Sequence, residues 1–403
     1  MKIVVINCTG ETYTQGSSGA IATWVRQITT ALRQVGHDTV TLAKRTDAAE
    51  DLVDADYLDY PGVPHLRGSA RVTHLWRRFR GYHHVRQPTW QRRVLQYLEC
   101  CGADAVVLHN DPEMAGWLAV RLPRVSVMHL FHNENYVARP HRGKYRRADI
   151  SSFAVSGFTA RWVESHIGMR AGSVRVLNPG IDMGSFPLVS RRSKVAVPEV
   201  IFVGLLNENK SPHTLLDAAE LLHQSGTTIA VKIAGASRYG GPELTTTYEQ
   251  HLHDRAQHLR RRGVDVRFLG YVGRDQLPEI LGHCDIGVVT SRKKESFGLV
   301  ALEMLAAGLP IVVAETGGLP EVAGEVGRVF VPGDPASLAC QLRLTIDQQA
   351  VGDDLRGKAR RRAASFTWSA AAQALAAVAC GQPHAVGARR TRPRSDRGFR
   401  LFQ

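Results

Sequence analysis

The chain has 403 residues, of which 44% are hydrophobic and 22% charged, and it carries 51 lysines and arginines against 37 aspartates and glutamates for a formal net charge of +14. This length predicts two domains, each with a core of its own, and the composition excludes disordered and fibrous classes. No run of 18 apolar residues occurs, so no spanning helix is expected, while the positive excess asks for an acidic partner or an anionic surface.

Met1 to Asn7 holds a short apolar run that reads as a first strand and not as a secretory signal, which makes a cytoplasmic protein the expectation. Lys2 to Cys8 is the strand, Gly19 to Val35 a helix and Thr39 to Ala43 the next strand. Arg67 to Arg93 holds eight arginines and no acidic residue; Val72, Leu75, Trp76 and Phe79 fall at i, i+3, i+4 and i+7 within it, one apolar helix face that suits either an anionic membrane surface or the core. Strands follow at Ala105 to Leu108 and Val125 to Leu130, then a helix at Gly157 to His166. The second half alternates more clearly, with short β-branched runs at Val200 to Val203, Ile229 to Ala234, Val266 to Leu269, Ile286 to Val289 and Ile311 to Val313. Alternating strands and helices predict an α/β protein of two parallel, doubly wound Rossmann-like sheets, joined near Phe186 to Pro198 and facing across a cleft where a ligand would bind. From about Gln382 the chain turns arginine-rich with little apolar content and reads as a flexible tail. Cys8, Cys100, Cys101, Cys284, Cys340 and Cys380 have neither disulfide nor metal spacing, which predicts reduced thiols and no metal site.

The most informative stretch is Glu295 to Glu321. Ala- and Leu-rich sequence from Gly298 to about Ala307 predicts a helix, stopped by Gly308 and Pro310. Its N-terminus, near Phe297 to Leu299, offers unpaired N–H groups and a positive dipole end to an anion such as phosphate. Glu295 precedes that terminus and Glu303 lies about a turn and a half inside, at most roughly 12 Å away at helical rise. That separation matches a nucleoside diphosphate sugar, with sugar and ribose hydroxyls each reaching a carboxylate and the diphosphate between them.

The Glu295, Glu303 spacing followed by Gly317, Gly318, Pro320 and Glu321 resembles the signature of retaining family 4 glycosyltransferases. Further pieces fall in that family's order: Val203-Gly204, Lys210, Phe268-Leu269-Gly270-Tyr271, Cys284-Asp285-Ile286, Val331-Pro332-Gly333-Asp334 and Phe366-Thr367-Trp368 downstream, and Gly19, Gly36-His37-Asp38, Val155-Ser156 and Asn178-Pro179-Gly180-Ile181-Asp182 upstream. The resemblance covers nearly the whole chain. It implies the GT-B fold, with an acceptor domain over 1–190, a nucleotide-sugar-binding domain over 195–365, a last helix over about 366–381 returning to the first domain, and a basic tail over 382–403.

It also implies roles. Glu295 and His132 are the expected catalytic groups, His132 contacting the transferred sugar, with His109 and His129 as rivals for that place. Gly19, Lys210, Tyr271, Phe297, Gly298, Leu299 and Glu303 are expected to bind the donor, Lys210 at its diphosphate. His109, Gly317 and Gly318 are additional candidates. The family usually has an arginine where this chain has Leu205; losing such a charge-assisted bond would cost roughly 1.5–3 kcal/mol, and Arg292 and Lys293 are candidates to replace it. The implied reaction is hexosyl transfer from a UDP- or GDP-sugar to a hydroxyl of a saccharide or lipid-linked acceptor, in cell-surface polysaccharide or glycolipid synthesis, with no cofactor, no metal and no specific nucleic acid. The rivals are a glycan phosphorylase or nucleotide-sugar hydrolase on the same fold, and a non-catalytic basic binding protein.

Overall fold

The computed structural model describes residues 1–8, 11–14, 19–45, 52, 54–59, 88–134, 137, 139–188, 197–237, 246–350 and 354–381. The apolar run Val72 to Phe79, residues Ser17 and Ser18 beside Gly19, the middle of the link between the two halves and the arginine-rich tail lie outside them.

The first sheet contains β1 (Lys2–Ile6), β2 (Asp38–Arg45), β3 (Ala55–Asp59), β4 (Ala105–His109), β5 (Ser126–Phe131), β6 (Ser151–Ala154) and β7 (Arg175–Val176), in the order β3-β2-β1-β4-β5-β6-β7. The second contains β8 (Glu199–Val203), β9 (Ala230–Ala234), β10 (Val266–Gly270), β11 (Ile286–Val289), β12 (Ile311–Ala314) and β13 (Arg328–Phe330), in the order β10-β9-β8-β11-β12-β13. Every pairing is parallel, and the central register sets Ile3 opposite both Thr39 and Ala105, and Gly287 opposite both Ile201 and Ile311. In both sheets the order reverses beside the first strand, which opens the crevice where α/β sheets take ligands.

Strands covered on both faces need apolar side chains throughout, and β4, β11 and β12 are buried along their whole length. The unpredicted strands are those that lack this signal: β6 is four residues with two serines, β7 is two exposed residues, β3 is a part-exposed edge, and β13 is a three-residue edge with one buried residue. Arg139–Arg147 is a helix anchored by the buried Tyr145, whose hydroxyl bonds Ser152 at 2.8 Å and His129 at 3.0 Å.

The helix Trp368–Ala379 starts from Thr367, whose hydroxyl oxygen accepts the Ala370 N–H at 3.1 Å, and packs on the helix Ala20–Gln34 that follows β1. Trp24 and Trp368 meet edge to face at 6.1 Å, and the Ile181 N–H donates to the Phe366 carbonyl at 3.0 Å. Among the described residues no helix is long and apolar enough to cross a membrane.

Candidate functional site

The chain leaves β8 through Gly204 and a half-buried Leu205, then turns back into the helix His213–Gln224. Asn207 Oδ1 accepts the Lys210 N–H at 3.0 Å, the Thr290 hydroxyl donates to the Lys210 carbonyl at 2.7 Å, and Ser211 is held at φ 53°. A non-glycine residue in that region is sparsely populated and marks a backbone fixed by its surroundings. So placed, the Lys210 ammonium donates to Glu295 Oε2 at 2.6 Å, and the Ser291 hydroxyl donates to the same oxygen at 2.9 Å. The family resemblance implies Lys210 at the diphosphate and Glu295 as a catalytic group; the structure adds that the two side chains pair directly.

The Glu295 backbone is fixed from behind. The Gly318 N–H donates to the Glu295 carbonyl at 2.6 Å, and a Cβ on Gly317, which sits at φ +60°, would lie 1.9 Å from that oxygen. Both candidate glycines therefore seat Glu295 through its main chain. Phe297 is buried against Phe366, with centroids 5.7 Å apart. Gly298, at φ +102°, turns the chain into the helix Leu299–Ala306. Among the described residues no side chain caps that helix N-terminus, so its first N–H groups are open to an anion beside Lys210 and Glu295.

Glu303 projects from this helix into a cavity of about 240 Å³ between the two halves, lined also by Thr23, Trp24, Gln27, Arg274, Leu299 and Trp368. Burial raises its carboxyl to about 7, with the Arg274 charge pulling the other way. An unfolded glutamate titrates near 4.5, so between 4.5 and about 7 the folded chain holds the extra proton. Stability from this group is therefore greatest below 4.5 and is lost as pH rises through 7. Glu303→Gln is accordingly expected to match wild type near pH 4.5 and to exceed it by about 1–3 kcal/mol at pH 8. Thermal melts at the two pH values test this, and equal melting at pH 8 would count against a raised Glu303 carboxyl.

Across Trp24 lies a histidine pair. His109 Nδ1 and His132 Nε2 are 2.9 Å apart, and both rings meet Trp24 edge-on at 4.9 and 5.5 Å. The His132 N–H donates to Asn110 Oδ1 at 2.8 Å, and Asn110 holds φ 53° at the end of β4. Burial pushes His132 down to about 3 and His109 lower than usual, the latter also through its histidine neighbours. Both rings are thus neutral near pH 7, one donating to the other. His109 and His132, rivals in sequence, are one unit; His129 instead bonds Tyr145 in the core.

The helix N-terminus after Gly19 is already occupied. Glu11 Oε2 accepts the Ala22 N–H at 2.8 Å, and its carboxylate lies where a Cβ on Gly19 would go. Gly19 thus accommodates a carboxylate of the chain itself at the place expected to contact the donor. Arg292 lies against Gly333, Lys293 is exposed, and Tyr271 is 51% exposed beyond β10. Neither Arg292 nor Lys293 lines the cavity, whereas Arg274 does. Arg274 was missed, although it stands just beyond the Phe268 to Tyr271 motif; Ser291 and Trp24, also missed, carried no sequence signal.

Compared with known proteins, residues 190–365 match the family described as "Glycosyl transferases group 1" and residues 21–184 the family described as "Glycosyltransferase Family 4". The chain is 30% identical over 319 residues to the D-inositol 3-phosphate glycosyltransferase of Corynebacterium diphtheriae, covering 71% of this chain and 73% of that protein. It is 32% identical over 214 residues to the glycogen synthase of Mycobacterium tuberculosis, covering 52% of this chain but only 49% of that protein, so the chain spans about half the length of that curated relative. The Anabaena protein HepE, solved in complex with UDP, superposes with a TM-score of 0.71 at 18% identity over 94% of this chain and 100% of that one, a likeness of fold.

Proposed function

Because the chain belongs to glycosyltransferase family 4, we propose that it transfers a hexosyl group from a UDP- or GDP-sugar to a hydroxyl acceptor with retention of configuration. The observation that carries this reading is the Lys210–Glu295 pair beside the uncapped N-terminus of the helix that bears Glu303. A carboxylate for sugar hydroxyls, an ammonium and free N–H groups for a diphosphate, and a second carboxyl for ribose hydroxyls stand there in the order of such a donor's parts.

In the proposed reaction the bond from the anomeric carbon to the diphosphate oxygen breaks and the acceptor oxygen bonds to that carbon on the same face. The acceptor proton passes to the leaving phosphate. Lys210 and the Phe297 to Leu299 backbone stabilise the negative charge that grows on the diphosphate. Glu295 holds sugar hydroxyls and is not a nucleophile, so the close carboxylate pair of retaining hydrolases, about 5–5.5 Å apart, is not required. His132, neutral and steered by His109, is suited to bond a sugar hydroxyl near the reacting carbon. Arg274 supplies the cavity with positive charge where Leu205 cannot.

A saccharide or lipid-linked acceptor fits the +14 net charge, as does peripheral contact of 67–93 with an anionic membrane. A role in cell-surface polysaccharide or glycolipid synthesis follows from that choice. The proposed reaction assigns no part to a metal. The test is a donor screen that reads nucleotide release, with and without EDTA. Acceptor-dependent release of UDP or GDP, unchanged by EDTA, is expected. Sugar release that needs phosphate and no organic acceptor would replace the transferase reading with a phosphorylase, and turnover abolished by EDTA and restored by magnesium would break the metal-independent one.

A further inference from the structure

The loop that carries Glu295 is held from both halves of the molecule. Its Glu295 carbonyl is bound by Gly318 of its own half, and its next carbonyl, that of Ser296, accepts the Ser156 hydroxyl at 2.5 Å and the Thr159 hydroxyl at 3.2 Å from the other half. Ser156 and Thr159 open the helix Gly157–Ile167, where Ser156 Oγ also accepts the Thr159 N–H at 3.1 Å. The two preceding N–H groups of that helix, on Gly157 and Phe158, donate to the two carboxylate oxygens of Glu321 at 2.7 and 2.6 Å. Glu321 stands three residues after Gly318 on the helix Leu319–Ala323. A carboxylate from one half thus caps a helix terminus in the other, a strong charge-assisted contact with the positive dipole end. Arg161, at 3.4 Å from the same carboxylate, is exposed and adds little.

Resting on the transferase reading, we propose that Glu321, Ser156 and Thr159 are positioning residues that complete the donor-sugar grip only when the two halves meet. The contacts touch no reacting atom; they act on the peptide between Glu295 and Phe297. Gly318 binds the carbonyl on the N-terminal side of that peptide, and the serine and threonine hydroxyls bind its own carbonyl from the other half. Separation of the halves releases the Ser296 carbonyl and the Glu321 carboxylate together, leaving Glu295 oriented by one half alone. Nucleotide binding, by contrast, draws chiefly on Lys210 and Glu303, which belong to the second half. The coupling therefore bears on turnover more than on nucleotide affinity.

The test compares wild type, Glu321→Gln, Ser156→Ala and the double variant. Gln keeps the shape but turns an amide NH₂ toward one of two donor N–H groups. Each single variant is expected to lower kcat about 10- to 100-fold, the range for a small misplacement of a reacting group, while UDP or GDP affinity by titration stays within about threefold. The double variant falls by less than the product of the two, because both loosen the same junction between the halves. Hydrogen exchange at the Gly157 to Thr159 amides rises in Glu321→Gln with the sheet amides still protected, which separates lost contact from lost fold. Active wild type with both single variants within twofold in kcat overturns the proposal alone, as does exchange at these amides that Glu321→Gln leaves unchanged. A wild type that turns over no nucleotide sugar overturns the transferase reading, and this proposal with it.

Discussion

Glu295→Gln is expected to reduce transfer about 100- to 1000-fold without weakening nucleotide binding. The amide matches the carboxylate in size, so packing around Phe297 and the Gly317–Gly318 turn is kept. What it loses is charge. Hydrogen bonds to an ionised group contribute about 1.5–3 kcal/mol each, and because the amide keeps a weaker neutral bond, losing about 1.5–2 kcal/mol at each of two sugar hydroxyls accounts for the range. The same change frees the Lys210 ammonium, now 2.6 Å from Glu295 Oε2, to face a diphosphate without competition. UDP or GDP should therefore bind the variant at least as tightly as wild type while turnover collapses. Steady-state nucleotide release and calorimetric titration on one preparation check the two halves of this expectation. Turnover within threefold of wild type would remove Glu295 from the chemistry.

A methyl group at position 317 should do comparable damage from behind. Gly317 sits at φ +60°, where alanine is strained by about 1–2 kcal/mol. Its Cβ would also lie 1.9 Å from the Glu295 carbonyl oxygen and 2.5 Å from the Glu295 nitrogen. Backbone cannot yield as a flexible side-chain end does, so the loop must shift and carry Glu295 with it. Gly317→Ala is expected to lose about 2–4 kcal/mol of stability and about 100-fold in turnover, the scale of a 1 Å misplacement. Thermal melting and the same nucleotide-release assay measure both. Unchanged melting with turnover within threefold would show that the turn does not seat the loop.

Both sheets were readable because their central strands are covered on two faces and must be apolar along their length; β4, β11 and β12 declare themselves this way. β3, β6, β7 and β13 do not, being at an edge, serine-bearing or only two or three residues long. Glu295 and Glu303 were legible because their relation is local, set by one helix and one turn. Contacts that join distant segments were not. Lys210 and Glu295 are 85 residues apart, His109 and His132 are 23 apart, and Glu321 meets Gly157 across 164. Each partner in such a pair has a chemistry that sequence supplies, but the partnership is a product of packing. The glycine turn before the first helix makes the same point: a free helix terminus invites phosphate, yet the chain brings its own Glu11 there. Arg274 was overlooked for the converse reason, since an exposed arginine in a loop gives no sign that it lines a cavity with residues of the other half.

The central claim is that the Lys210, Glu295 and Glu303 arrangement holds a nucleoside diphosphate sugar. It is tested most directly by calorimetric titration of the wild-type chain with UDP, GDP and a mixed-sequence oligonucleotide. One of the two nucleotides should bind at one site per chain, with affinity reduced at least tenfold in Lys210→Ala. Binding of the oligonucleotide with no response to either nucleotide would contradict the account and leave a basic binding protein in its place.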